Sequence, residues 1–207
     1  YFSSILGIAG AMTSDSSWPI NPFLVALTAD YFFDAGSPQD MNELLTAALN
    51  RRSVLDQAPE LHYELARYYG FFEEPERERS TLQNALSRLE QEEQQRKEGR
   101  EPLWLTDAHR SFPFREERRS LVAEADVLVR NRLGEIAYGD RRLLRAEELF
   151  SEAINRYEQS RNHRLLGSGR EYGEIYSNLA DIWYYQGRDL PDAYDLFEQA
   201  QMHGYSP

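Results

Sequence analysis

The histidines are the first residues to consider for chemistry, because an imidazole can bind a metal ion or transfer a proton near neutral pH. The chain contains four of them, His62, His109, His163 and His203. None is followed three or four residues later by a second histidine or a carboxylate in a recognised ligand pattern. The chain also has no cysteine, which excludes a thiol nucleophile and a cysteine zinc site. We therefore predict no metal site and no cofactor.

Carboxylates are abundant, and a positioned pair of them could perform acid–base catalysis. Many of the 35 Asp and Glu residues stand in charged runs such as EQEEQQRKEGRE at 90–101. Runs of this kind are typical of a solvated helix face, so we expect a substitution at Glu92 to have little effect on stability. No pair stands out, and we predict that the chain is not an enzyme.

The segment GSGREYG at 167–173 bears a superficial likeness to a phosphate-binding loop. It follows a predicted helix instead of a strand, and it lacks the Gly-Lys-Ser/Thr ending of such loops. We interpret it as a flexible turn between helical hairpins.

Charge and composition exclude further classes of protein. The net charge of −12 and the pI near 4.8 argue against a nucleic-acid partner, because phosphate binding needs clustered positive charge. Hydrophobic residues make up 41% of the chain and aromatic residues 13%, which is too much packing material for a disordered chain. The cations are almost all arginine, with Lys97 the only lysine.

The N-terminal residues 1–12, YFSSILGIAGAM, are apolar and uncharged but too short to span a bilayer. Within an N-terminal segment of residues 1–21, they represent either the remnant of a membrane anchor or export signal, or a helix packed on the first hairpin. The location of the protein stays open. A membrane-anchored periplasmic protein of the bacterial cell envelope is slightly preferred, and the cytoplasm is the alternative.

A repeat is visible in the second half of the chain. Leu133 and Gly134 are followed by Ala146, Phe150 and Ala153, at offsets of 12, 16 and 19 from the glycine. A helix–turn–helix needs small residues at these offsets, where its two helices cross, and a large ring beside them.

Three further copies keep similar spacing. The last copy has Leu179, Ala180, Trp183, Ala193, Phe197 and Ala200. Two weaker copies precede, one with Leu65, Ala66, Tyr69, Leu82 and Ala85 and one with Ala29, Phe32, Leu45 and Ala48. In the weaker copies Glu78 and Met41 stand where a small residue is usual.

At these residues the sequence resembles the tetratricopeptide repeat family, over roughly residues 22–207 with interruptions. The resemblance implies an all-α fold, an alpha-alpha superhelix of about four helical hairpins with a lengthened central hairpin. Other alpha-solenoid arrays, such as Sel1-like repeats, remain the alternative.

Proline and glycine positions predict the helix boundaries. Prolines 22, 38, 59, 75 and 191 suit the first helical turn, and glycines 36, 70, 139, 187 and 204 suit helix ends. We therefore predict helices over 22–34, 38–51, 59–70, 75–98, 114–138, 141–161, 171–186 and 190–203. Insertions are expected near 99–113 and 162–172. The first contains Trp104, Phe112 and Phe114, which either cover the long helices or face a partner.

The resemblance also implies a binding surface, because the first helix of each repeat in that family lines a concave groove. Transferred by position, the groove residues are Ala26, Asp30 and Phe33, then Tyr63, Arg67 and Gly70, then Asn131, Glu135 and Tyr138 with Arg132 alongside, and finally Ser177, Asp181 and Tyr184 with Asn178 alongside. The carboxylate-binding clamp of some family members is not reproduced. A partner segment of mixed charge fits this surface better than an acidic tail.

The function predicted is a protein–protein interaction scaffold, part of a larger multiprotein or membrane-associated bacterial assembly. A small-molecule-binding protein and a structural self-assembly unit are the alternatives. The last helix should leave an exposed edge with Leu196, Phe197 and tyrosines 184, 185 and 194. Such an edge predicts either further repeats after Pro207 or pairing with another copy or partner.

Overall fold

The computed structural model describes residues 22–50, 58–100, 115–160, 169–188 and 190–205. Within these ranges all regular structure is helical, and eight helices pack in adjacent pairs. The helices are α1 (Pro22–Asp34), α2 (Pro38–Asn50), α3 (Pro59–Phe71), α4 (Pro75–Lys97), α5 (Arg115–Gly139), α6 (Leu143–Ser160), α7 (Gly169–Tyr185) and α8 (Leu190–Met202). None of these helices combines the length and the apolar character needed to cross a membrane.

The predicted boundaries agree with these helices to within two residues. Each of the first four helices begins at a proline, whose missing N–H has no partner in the first turn of a helix. The apolar segment 1–12 and the aromatic residues Trp104, Phe112 and Phe114 lie outside the described residues.

All five predicted glycines lie within two residues of a helix end, but only three of them take a positive φ. Gly36, Gly187 and Gly204 have this conformation two residues after the last residue of their helices. Gly70 and Gly139 instead lie inside the last turns of α3 and α5. The left-handed residues there are Glu73 (φ 55°) and Arg141 (φ 62°), since the chain turns two or three residues later than expected.

The chain divides into two compact bodies, residues 1–119 and residues 120–207. In the C-terminal body the predicted repeat positions form the core: Ala146, Phe150, Ala153, Ala180, Ala193 and Ala200 are all at most 1% exposed. A Cβ atom added at Gly134 would lie 2.5 Å from Cε1 of Phe150. The glycine is therefore required by the close approach of α5 to the Phe150 ring.

In the N-terminal body, where α3 crosses α4, the large and the small residue have exchanged helices. Glu78, at the position where the repeat prefers a small residue, is buried. Its carboxylate lies against Gly70, where an added Cβ would come within 2.9 Å of Oε1. The space that the repeat normally obtains from a small residue on the second helix is supplied here by a glycine on the first.

The two longest described helices are α4, with 23 residues, and α5, with 25. Their length confirms the lengthened central elements. The prediction that Glu92 on α4 lies on a solvated face was wrong, because Glu92 is only 7% exposed. Its carboxylate forms an ion pair with Arg96, one turn along the helix, at 3.5 Å. Glu90, two residues earlier, is exposed and marks the solvated face.

The interpretation of 167–173 as a flexible turn was wrong for its second half. Helix α7 begins at Gly169, so residues 169–172 belong to its first turn and not to the predicted insertion. An added Cβ at Gly173 would lie 2.6 Å from Cβ of Tyr205 and 2.8 Å from the carbonyl oxygen of Ala200. Gly173 thus allows the end of α8 to approach the backbone of α7.

Candidate functional site

In the N-terminal body, the predicted groove residues of the first two repeats meet at Arg67. Its guanidinium donates to Asp30 at 2.7 Å and to Glu64 at 2.8 Å. It also lies 4.6 Å from the centre of the Phe33 ring, a cation–π distance. Arg67, Asp30 and Phe33 therefore join α1 to α3 on the predicted face.

The surroundings of Arg67 raise its pKa, so its guanidinium stays charged. Burial by itself would lower the pKa of Arg67, but the Glu64 carboxylate and the hydrogen bond to Asp30 outweigh burial and raise it. Arg67 is one of the predicted groove residues. A partner carboxylate there would compete with Asp30 and Glu64 for the guanidinium.

Exposed aromatic side chains border this cluster. The Phe33 and Phe71 rings make an edge contact at 5.5 Å, and Phe71 makes another with Phe72 at 5.1 Å. Phe71 is 60% exposed. The sequence signal for these rings was weak, because Phe71 and Phe72 lie beyond the predicted end of α3.

In the C-terminal body, the predicted residues of α5 and α7 form a hydrogen-bonded chain. Asn178 on α7 donates to the side-chain oxygen of Asn131 on α5 at 3.4 Å, and Asn131 donates to Glu135 at 2.9 Å. Arg132 donates to the other oxygen of Glu135 at 2.7 Å. Asn131 is buried, contrary to its predicted exposure, because its amide lies between Asn178 and Glu135.

On the same two helices, the negative charge of Asp181 on α7 acts on the phenol of Tyr138 on α5. Burial raises the pKa of Tyr138, and the charge of Asp181 and the neighbouring Tyr185 raise it further. Burial also raises the pKa of Asp181. Tyr184 and Tyr185 pack edge to face at 5.8 Å and are 50% and 73% exposed. The two helices thus present a carboxylate bordered by phenol rings.

Replacing Asp181 with asparagine is expected to lower the pKa of Tyr138. The substitution removes a negative charge that opposes ionisation of the phenol, while the burial of the ring is unchanged. An NMR titration of ring-labelled tyrosine would measure the shift. Asp192→Asn, on α8, is the control and should leave the pKa of Tyr138 in place. An unchanged pKa in D181N would contradict a contribution from the charge of Asp181.

Three further predicted groove residues have different surroundings. Tyr63 is half-buried on α3, whereas Ala26 on α1 and Ser177 on α7 are buried and do not line an open groove. Tyr63 contributes to the electrostatic environment of Arg67 and so belongs to the N-terminal cluster. The groove residues therefore come together as two groups, one within each compact body.

Two buried arginines with ionic partners had no sequence signal. Arg118 donates from Nε to Glu60 at 2.6 Å, and both side chains are at most 5% exposed. Arg130, 3% exposed, pairs with Asp126 and, at 3.1 Å, with Glu152. These arginines look like surface residues in the sequence, because only the packing of other helices covers them.

His203 also has a role that its isolation in the sequence concealed. Its ring stacks on Tyr176 at 5.6 Å and meets the edge of Tyr157 at 5.3 Å. Tyr157 in turn stacks on Tyr172 at 4.2 Å. This cluster of rings packs the end of α8 against α6 and α7.

The exposed edge predicted for the last repeat is present at its tyrosines. Tyr194 is 63% exposed, alongside the exposed Tyr184 and Tyr185. Leu196 and Phe197 are half-buried, so the apolar edge is smaller than predicted. Tyr205, which follows α8, packs on Gly173.

Comparison with known proteins identifies the fold alone. The sequence matches no family model and no curated protein. Among solved structures, the crystal structure of MamA is 17% identical, with a TM-score of 0.53 over 97% of this chain and 86% of that chain. BtubC from P. vanneervenii is 17% identical, with a TM-score of 0.59 over 100% of this chain and 74% of that chain. The predicted resemblance to a tetratricopeptide-type helical repeat fold is confirmed.

Proposed function

We propose that this chain is a protein-interaction scaffold, which binds a segment of a partner protein along the first helices of its repeats and catalyses no reaction. The helical repeat fold supports a scaffold, because stacked hairpins build extended binding surfaces. The scaffold would serve a larger multiprotein assembly.

The observation that carries this proposal is the face shared by α5 and α7. It combines exposed tyrosines, Tyr138 and Tyr184, with the half-buried polar side chains of Asn178 and Asp181. Tyrosine is enriched in protein interfaces, where its ring supplies contact area and its hydroxyl a hydrogen bond. Asparagine amides can donate to and accept from the backbone of an extended peptide.

Site-specific photocrosslinking tests the proposal. A photoreactive phenylalanine analogue at Tyr184 is expected to crosslink a partner in an extract of the source organism. The same analogue at Leu144 on α6, which is also exposed, is the control and should crosslink it much less. The captured protein would then be purified and its binding measured directly.

The outcome also distinguishes the alternative functions. A crosslink only to a second copy of the chain would indicate self-assembly instead of partner binding. A specific small molecule that raises the melting temperature, with no protein crosslinked from Tyr184, would favour the ligand-binding alternative. Equal crosslinking from Tyr184 and Leu144 would contradict the assigned face.

A further inference from the structure

Within the described ranges, Asp181 differs from the other carboxylates of the predicted face, Asp30 and Glu135, in forming no ion pair. Glu135 on α5 accepts from Arg132, and Asp30 on α1 accepts from Arg67. Among the described basic side chains, none forms an ion pair with Asp181. Its carboxylate is half-buried, and its charge acts on the phenol of Tyr138.

The first two repeats show what arrangement this position adopts when a cation is present. One residue after the small crossing site, repeat one has Asp30 and repeat two has Arg67; four residues after it, repeat one has Phe33. These three side chains form a carboxylate–guanidinium–aromatic cluster, with Arg67 bonded to Asp30 and 4.6 Å from the Phe33 ring.

The last two repeats keep two of these three components. Tyr138 stands at the position of Phe33, and Asp181 stands at the position of Arg67. Carboxylates therefore occupy the equivalent place in both repeats, Glu135 in the third and Asp181 in the fourth. The aromatic ring and the acid are kept, and the guanidinium is replaced by a second acid.

We infer that Tyr138, Asp181 and Tyr185 form a recognition site for a lysine or arginine side chain carried by a basic segment of the partner protein. This inference rests on the proposed function and names the chemistry of the partner. A cation over the phenol rings gains the cation–π attraction and pairs with the Asp181 carboxylate. The net charge of −12 attracts a basic segment over longer range.

The groups facing this site on both helices favour a single cation over an acidic tail. Glu135 on α5 is already neutralised by Arg132 and accepts from Asn131. Tyr184 on α7 lies against Tyr185 and extends the aromatic border. A partner carboxylate at this place would meet the charge of Asp181, and the resulting like-charge contact would oppose its binding.

Direct binding of synthetic peptides tests the site without knowledge of the natural partner. The probe is a fluorescent peptide of alternating arginine and serine, and its counterpart has glutamate in place of arginine. Anisotropy titrations are expected to show binding of the arginine peptide that weakens as salt is raised, and no binding of the glutamate peptide.

Substitutions at the site separate the ring from the charge. Tyr138→Leu is expected to weaken the arginine peptide about fivefold, whereas Tyr138→Phe keeps the aromatic face and should leave the affinity nearly unchanged. Asp181→Asn, which has the same shape, is expected to weaken binding by about fivefold through loss of the ion pair.

Matched controls remove the same groups elsewhere. Glu198→Gln on α8 neutralises an exposed carboxylate, and Tyr31→Leu on α1 removes a ring that is about as exposed as Tyr138. Neither should change the affinity by more than a small factor. Circular dichroism of every variant would confirm that the helices are intact.

The inference is overturned if E198Q weakens the peptide as much as D181N, or if Y138F weakens it as much as Y138L. It is also overturned if the arginine peptide does not bind. These results leave the crosslinking test of the scaffold untouched. Conversely, a peptide that binds at Asp181 when Tyr184 crosslinks no protein would retain the cation site and contradict the scaffold.

Discussion

Replacing Gly134 with leucine is expected to lower the free energy of unfolding of the C-terminal body by about 3 kcal/mol, the upper part of the range for overpacked cores. A Cβ at this position would lie 2.5 Å from the Phe150 ring, which is only 1% exposed and is therefore enclosed by other atoms. Ala146→Leu, at the facing position of α6, should have an effect of similar size. Urea denaturation followed by circular dichroism would measure both.

Gly139 provides a matched control on the same helix. An added Cβ there meets nothing within 4 Å, so Gly139→Leu changes the same residue type without overpacking. It should be neutral or slightly stabilising, since leucine favours a helix more than glycine does. Gly134→Ala should also lower the free energy of unfolding, because its Cβ meets the Phe150 ring. Replacing that ring with the smaller leucine side chain, by Phe150→Leu in the Gly134→Ala variant, should recover part of this loss. Equal costs for G134L and G139L would contradict the crossing.

Breaking the buried ion pair between Glu60 and Arg118 is expected to cost about 3–5 kcal/mol, because the remaining charge stays buried without its main partner. The Nε of Arg118 donates to Oε1 of Glu60 at 2.6 Å, and the side chains are 5% and 1% exposed. Oε2 of Glu60 is buried and accepts no hydrogen bond from the described residues. Arg118→Met and Glu60→Leu, each made alone, would be compared by urea denaturation.

The double variant distinguishes an ion pair from two independent packing contacts. With both charges removed, the stability should return to within about 2 kcal/mol of the original protein, since buried pairs can often be replaced by apolar groups. Arg145→Met breaks the exposed pair with Glu148, and it should cost at most about 1 kcal/mol. If the costs of R118M and E60L simply add in the double variant, the pair is not coupled as the geometry indicates.

Much of the fold could be predicted from the sequence, because its determinants are local. Proline at the first turn and the 3.6-residue spacing of apolar residues depend on neighbours a few positions away, so the helices were placed to within two residues. The crossing at Gly134 was equally visible, since a close approach of two helices requires a residue without a side chain. Glu92 escaped prediction, because its own helix gives no sign of the packing that buries it.

The candidate site was predictable in position but not in chemistry. The repeat register placed Asn131 with Asn178 and Tyr138 with Asp181 on neighbouring helices, and the structure brings both pairs together. The register did not indicate that Asn131 is buried. Nor did it show that Arg67 is already bound to a carboxylate, because that contact joins residues 37 positions apart.

By itself, the sequence determined the class of fold, the helix boundaries and the positions at which hairpins cross, because backbone propensity and side-chain volume act over one or two turns. Only the tertiary structure decided which charges are neutralised within the chain. A sequence does not show whether a given arginine or glutamate is paired. The pairing of Arg118 with Glu60, for example, joins residues 58 positions apart. Likewise, the sequence did not show that Asp181 would lie near Tyr138 and form no ion pair with a described cation. The energy of a charge depends on the groups that surround it in space, and packing alone sets those groups.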